Sequence, residues 1–155
     1  MDPRIRPVER DDAVSLAALR IQQDRERARP ARAGFLAEYA DALLEDFADY
    51  RGWIADEADG RPVGCVLAQR VRKLPGLVAP GRPEWWYVQQ VYVSADRRRR
   101  GIGTALMAAV QRAATEEEIR WIRLNASAAG RPLFDAVGFG PPVDRLREWV
   151  PRSSG

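Results

Sequence analysis

The stretch that most constrains this chain is Arg97-Arg98-Arg99-Arg100-Gly101-Ile102-Gly103-Thr104. An alternating apolar run at residues 88–93 leads into it, and a helix-patterned run at 105–114 follows. Any fold must therefore set a short basic glycine turn between a strand and the start of a helix. Glycines let the backbone approach a ligand closely, and the first N–H groups of a helix lack intrahelical partners. Arginines beside such donors can meet phosphate oxygens in bidentate geometry. The segment reads as a cradle for a pyrophosphate.

The rest of the sequence is ordinary globular material. At 155 residues, with 46% hydrophobic and 30% charged, it is expected to form one domain over 1–155, with 152–155 as a frayed tail. A chain of this size buries about two-thirds of its unfolded surface. No apolar run approaches the ~20 residues that span a bilayer, and the charged N-terminus does not resemble a secretory signal. One cysteine, Cys65, leaves no internal disulfide and suits a reducing compartment, so a cytoplasmic location is expected. Histidine is absent, which removes the commonest general base, the commonest metal ligand and every Ser-His or Cys-His pair. No metal is expected. The net charge of +3 comes with acids interspersed among the arginines, so neither nucleic acid nor a membrane is expected as a partner.

Periodicity supplies the elements. Residues 5–8 read as a strand, and Asp11 and Asp12 stand where they would cap a helix with Val14, Ala17, Ala18 and Ile21 on one face. Residues 24–30 read as a connector, and Phe35, Leu36, Tyr39, Ala40, Leu43, Leu44 and Phe47 mark a second helix. Strands follow at 53–56 and 62–71, joined by the turn residues 57–60. A proline-rich loop at 73–83, of a length that often serves binding, leads to a fourth strand at 84–93. After the glycine turn, a third helix turns Leu106, Met107, Val110, Ala113 and Ala114 inward, and 121–126 form a fifth strand. Pro132 opens a short helix with Leu133, Phe134 and Val137, which Gly138 ends. A last strand is expected at 145–150, with another near Phe139. The class is α/β, with a mixed, mostly antiparallel sheet of six to seven strands flanked by about four helices.

Gly-x-Gly alone is common. A Walker-type loop needs Gly-x-x-x-x-Gly-Lys-Ser/Thr, which is absent, and a dinucleotide fingerprint needs a third small residue where Leu106 stands. Arg98-Arg99-Arg100-Gly101-Ile102-Gly103 instead resembles the acetyl-CoA signature of the GNAT superfamily of N-acetyltransferases, Gln/Arg-x-x-Gly-x-Gly/Ala. Val91-Tyr92-Val93-Ser94-Ala95-Asp96 resembles that family's fourth strand and the turn leaving it, and residues 124–139 its closing strand, helix and Gly-Phe. The order of elements is similar as well, over most of the chain.

The resemblance implies a GNAT-like domain whose fourth strand bulges and splays from the fifth, exposing backbone to the pantetheine arm of acetyl-CoA. Val91, Tyr92 and Val93 would line that slot, and the amides of Arg99, Arg100, Gly101, Ile102, Gly103 and Thr104 would hold the pyrophosphate, with Arg98 at the motif position. Ser127 would hydrogen-bond the cofactor. The implied reaction is direct attack of a primary amine, on a small molecule or peptide, upon the acetyl thioester. A strand-four amide would stabilise the oxyanion. Glu84, the carboxylate nearest the fourth strand in sequence, is the candidate base. The family's usual tyrosine acid is replaced by Phe134, leaving Tyr92 or water to protonate the thiolate. That departure keeps a non-catalytic acyl-CoA-binding module as the alternative. Pairing into a homodimer is frequent among such folds and stays open here.

Overall fold

The computed structural model describes residues 2–142 and 147–151. Its single mixed sheet has the strand order β1 (Arg4–Pro7), β2 (Tyr50–Asp56), β3 (Pro62–Arg72), β4 (Glu84–Val93) and β5 (Ile122–Leu124). The first four strands pair antiparallel, and β5 joins β4 in parallel. Among the described residues four α-helices cover it, α1 (Ala13–Glu26), α2 (Phe35–Glu45), α3 (Ile102–Glu116) and α4 (Arg131–Ala136).

Five strands among the described residues replace the expected six to seven. Residues 147–150 form no strand, while 145 and 146 of the expected last strand, and the tail 152–155, lie outside the described residues. Phe139 is no strand either. Its N–H bonds to Phe134 O at 2.9 Å and its ring meets Phe134 edge-on, so it closes α4.

Alternation along the strands builds two cores. Ile54, Cys65, Leu67 and Tyr92 face α1 and α2, which contribute Leu16, Leu19, Ala40 and Leu43. Trp53, Ala55, Val66 and Trp86 face α3, which contributes Ile102, Leu106, Met107 and Val110, with Phe134 from α4. The buried stripe of α1 is Ala13, Leu16, Ala17 and Leu19, whereas Val14 is 53% exposed. The apolar face read from sequence was thus displaced, and the helix also runs through residues 24–26, expected as connector. Asp12 does not cap α1 with its side chain. Its carboxylate receives the fork of Arg6, with both contacts at 2.8 Å, and the N–H of Glu9 at 2.7 Å.

A bulge in β4 positions everything that follows. Leu67 pairs with Gln90 and Ala68 with Val88, so Gln89 is an extra residue on β4. Side chains alternate between faces with period two, and one inserted residue reverses that alternation. Trp86 and Val88 therefore point toward α3, while Gln90 and Tyr92, also even-numbered, point toward α1 and α2.

Candidate functional site

Beyond the bulge, β4 is paired on one side only among the described residues. Trp86, Tyr87 and Val88 face Ile122, Arg123 and Leu124 of β5, and the parallel pairing stops there. Further on, Ser94 N–H bonds to Val63 O at 2.8 Å. An antiparallel ladder alternates its bonded pairs, so Val91 and Val93 turn their main-chain groups toward the open side. Their carbonyls are nonetheless occupied. Gln23 Nε2 donates to Val91 O at 3.1 Å, and Arg98 Nε donates to Val93 O at 3.0 Å.

The glycine bend follows a short 3-10 turn, Ala95–Arg97. Arg99 and Gly101 both take left-handed backbone angles, φ 64° and 77°. A side chain at Gly101 would be strained by that angle although the space is open, since an added Cβ would meet nothing within 4 Å. Gly103 is constrained differently, because an added Cβ would lie 3.1 Å from Leu133 Cδ2, where α4 packs on the first turn of α3. Among the described residues, no acceptor meets the N–H of Arg99, Arg100, Gly101, Ile102, Gly103 or Thr104. The first N–H to find one is that of Ala105, bonded to Gly101 O at 2.9 Å. Successive unpaired N–H groups at a positive helix end form an anion-binding concavity.

The four arginines divide by role. Arg97 pairs with Glu57 and, at 3.0 Å, with Asp96. Arg98 binds Glu26 at 2.5 Å while its guanidinium lies 5.7 Å from the centre of the Tyr92 ring. These two brace the bend. Arg99 and Arg100 are exposed, with no hydrogen bond or ion pair among the described residues, and supply free positive charge beside the unpaired amides.

Tyr92 and Glu26 form one unit, the hydroxyl donating to Glu26 Oε1 at 2.6 Å. Burial, and then the adjoining carboxylate, push the Tyr92 phenol above its usual range. Burial also pushes Glu26 upward, but the bonds from Tyr92 and Arg98 outweigh it and hold that carboxyl below the ordinary value.

Glu84 stands at the other end of β4, roughly 30 Å from Val93 at the usual rise per residue. Arg70 grips its Oε1 at 2.9 Å, and Trp86 Nε1 donates to Oε2 at 2.8 Å. Burial raises the Glu84 pKa, but the Arg70 and Trp86 hydrogen bonds and the arginine charges bring it below the usual range. The structure thus does not bring Glu84 together with the bend. The 73–83 loop lies at that same far end, over an open depression of about 690 Å³ shared with residues 117–120.

Ser127 stands just before the turn that opens α4, and Phe134 lies on the helix itself. Ser127 Oγ accepts the Gly130 N–H at 3.1 Å, and its carbonyl accepts from Gly130 and Arg131. Phe134 is buried against Gly130 and Phe139. Two residues at the open half of β4 were missed by the sequence reading, Gln23 and Glu26. The available signal was position, since Gln23 falls four after Leu19 and seven after Leu16, both buried. Among the described residues no cluster of three or more His, Cys, Asp or Glu could hold a metal, and no helix is long and apolar enough to cross a membrane.

Comparison with known proteins agrees with this geometry. The sequence profile of the Acetyltransferase (GNAT) family matches residues 18–139. Among solved structures, a predicted acetyltransferase with acetyl-CoA from Clostridium acetobutylicum superposes with a TM-score of 0.76 at 21% identity, covering 94% of each chain. A GCN5-related N-acetyltransferase from Ralstonia eutropha JMP134 is 28% identical with a TM-score of 0.70, over 94% of this chain and 97% of that one. A ribosomal-protein-alanine N-acetyltransferase from Brucella melitensis biovar Abortus 2308 is 26% identical with a TM-score of 0.68, over 96% and 99%. A search among curated proteins finds no match.

Proposed function

The chain belongs to the GNAT family of acetyltransferases, and from that premise we propose that it moves an acetyl group from acetyl-CoA to a primary amine by direct attack in a ternary complex. One observation carries the reading: among the described residues, six successive unpaired amides, Arg99 to Thr104, lie one short turn beyond a strand edge that β5 has left open. The first feature fits a diphosphate and the second an extended amide-bearing arm. Acetyl-CoA offers both groups, and supplies a thioester carbonyl already activated toward amines.

The residues divide the work as follows. The bend's amides, the α3 dipole and the side chains of Arg99 and Arg100 hold the diphosphate and neighbouring phosphate charge. Val91 and Val93 direct their N–H groups to the slot, while their carbonyls already have donors in Gln23 and Arg98. An N–H on this edge stabilises the oxyanion, a contribution worth about 3–4 kcal/mol for a single well-aimed donor. Phe134 on α4 and Ser127 just before that helix flank the slot, with Ser127 Oγ as a hydrogen-bonding group for the cofactor.

Proton handling rests on little side-chain chemistry. The chain has no histidine, and the pKa displacements of Glu84 and Glu26 both run downward, away from neutrality. Tyr92 donates its hydroxyl to Glu26, and Phe134 has no proton to give. The amine therefore loses its proton to water, and the CoA thiolate, with a pKa near 8.5, leaves without a dedicated acid. Turnover is expected to rise with pH along the acceptor's own ionisation, with no additional limb between about pH 5 and 8.

The test is thioester consumption with three amine classes: a peptide with an N-terminal alanine, a lysine-containing peptide and an aminoglycoside. The first and third are chosen because similar folds include a ribosomal-protein-alanine N-acetyltransferase and an aminoglycoside acetyltransferase. Turnover of any one supports the reading. CoA binding without turnover on all three favours the non-catalytic module, the alternative that Phe134 motivates.

A further inference from the structure

The face of the sheet turned toward α1 and α2 is not covered to its edge. Ala68, Trp86, Val88, Ile122 and Leu124 pack on the α3 side, so by alternation Gln69, Tyr87 and Arg123 lie on the other. They are also in register. Gln69 stands opposite Tyr87 and Tyr87 opposite Arg123, which makes one row across β3, β4 and β5. Gln69 is exposed, while Tyr87 and Arg123 are half-buried, so neither helix closes this corner. Solvent reaches the row, and so can a ligand.

Two hydrogen bonds carry the row toward the open edge of β4. The bulge residue Gln89 is exposed and donates from Nε2 to Gln69 Oε1 at 3.3 Å. Asn125 is exposed as well and donates from Nδ2 to the Tyr87 hydroxyl at 3.0 Å. Asn125 directly follows the last β4–β5 pair, Val88 with Leu124, so its bond to Tyr87 spans the fork where the strands part. Among the described residues Gln69, Tyr87, Gln89 and Asn125 make no other side-chain hydrogen bond. Left over for a ligand are the Gln69 Nε2 donors, the Gln89 and Asn125 side-chain oxygens and the Tyr87 O–H.

The fork is also where the thioester arrives. A cofactor with its diphosphate in the 99–104 bend, and its arm following the open edge back from Val93, brings its reacting end toward Val88. Tyr87 and Gln89 are the neighbours of Val88 on β4. An amine seated on the row therefore meets the slot from the α1 and α2 side.

The chemistry of the row selects what carries that amine. Carboxamides and a phenol donate and accept at once, as a peptide main chain does. No carboxylate belongs to the row. The Arg123 guanidinium, 5.4 Å from the centre of the Trp85 ring and 5.1 Å from that of Trp121, adds positive charge. A polycation such as an aminoglycoside would meet repulsion here and no counter-charge. We propose that Gln69, Tyr87, Gln89 and Asn125 form the acceptor subsite and that the acceptor is a peptide, held by its main-chain amides with its amine facing the thioester. The assignment rests on the acetyl-transfer reading above and names the class of acceptor.

The experiment uses the full chain with the N-terminal-alanine peptide, the lysine-containing peptide and the aminoglycoside. Each peptide is compared with its amine-bearing residue alone, as the amide. The parent should use at least one peptide with a kcat/KM about tenfold or more above that of its single residue, since each main-chain hydrogen bond adds affinity. The aminoglycoside should be the poorest of the three. Gln69→Leu, at an exposed position, should raise the KM of the preferred peptide about tenfold. CoA affinity by calorimetry and the melting temperature should stay close to those of the parent. An aminoglycoside used better than both peptides overturns the proposal and leaves acetyl transfer in place. Peptides used no better than their single residues, or a peptide KM unchanged in Gln69→Leu, do the same. A CoA affinity that falls in step with the peptide KM overturns it by putting the row in the cofactor slot. Turnover of no amine, with CoA still bound, overturns the acetyl-transfer reading itself and the subsite with it.

Discussion

The two ends of β4 are built from the same strand and could hardly differ more in how their polar groups are satisfied. At the Glu84 end, β3 and β5 flank the strand, Trp86 is fully buried, and the Glu84 carboxylate is gripped by Arg70 and the Trp86 indole. At the Val93 end, β5 no longer pairs, two carbonyls rely on long side chains from α1 and the bend, and six amides meet no acceptor among the described residues. Glu84 illustrates the lesson. A carboxylate on the right strand, with a displaced pKa, is a structural anchor when its partners complete it. Capacity for ligand lies where the strand's hydrogen bonding is left open.

The comparison breaks most visibly at the closed end. Trp86→Ala empties a fully buried site and removes a donor from Glu84, and should cost about 3–5 kcal/mol. Urea unfolding measures this, and a loss below about 1 kcal/mol would mean that end is not the anchor described. At the open end the cost should fall on binding. Gly101→Ala meets no neighbouring atom, so its stability loss should stay within the roughly 1–2 kcal/mol of a left-handed alanine. CoA affinity should fall about tenfold or more as amides turn from the diphosphate. Stability lost without affinity would make the bend merely a turn.

A smaller effect comes from pH. The folded Glu84 pKa lies below the 4.5 of a free glutamate. The stability it contributes is therefore present above pH 4.5 and disappears as the pH falls through the folded value. Glu84→Gln should flatten that acid-side loss in urea midpoints taken from neutral to acid pH. An equally steep loss in the variant would remove Glu84 from the account of the closed end, and a large drop in its turnover would return it to the chemistry. The smallest change is Phe134→Tyr, which restores a hydroxyl beside Gly130. It should raise turnover modestly and add a dependence on the tyrosine's ionisation, and identical rates and pH profiles would show that no acid step is missing.

Much of this was legible in the sequence, and the reasons are local. The bounds of β4, the glycine bend, the short helix after Gly130 and its end at Gly138 all follow from alternation, backbone freedom and proline placement, each contained in a few adjacent residues. The bulge at Gln89 was not legible from spacing, because its evidence is the face that Trp86 and Gln90 adopt against helices far away in sequence. Gln23 escaped for the same reason, since its partner Val91 is 68 residues on. The expected strand near Phe139 failed because an apolar Gly-Phe pair suits a helix closure as well as a strand. Arg98 shows a subtler limit. Its type matched an anion-binding motif, yet its guanidinium is spent on Glu26 and Val93 O, leaving the exposed charge to Arg99 and Arg100.

The most direct measurement is an amide-resolved NMR titration of the isotopically labelled chain with CoA. The account predicts that the N–H resonances of Arg99 to Thr104 move together and saturate, while those of Glu84 to Trp86 stay in place. Saturable binding that leaves the bend's amides unmoved, or shifts only the Glu84 end, would contradict it.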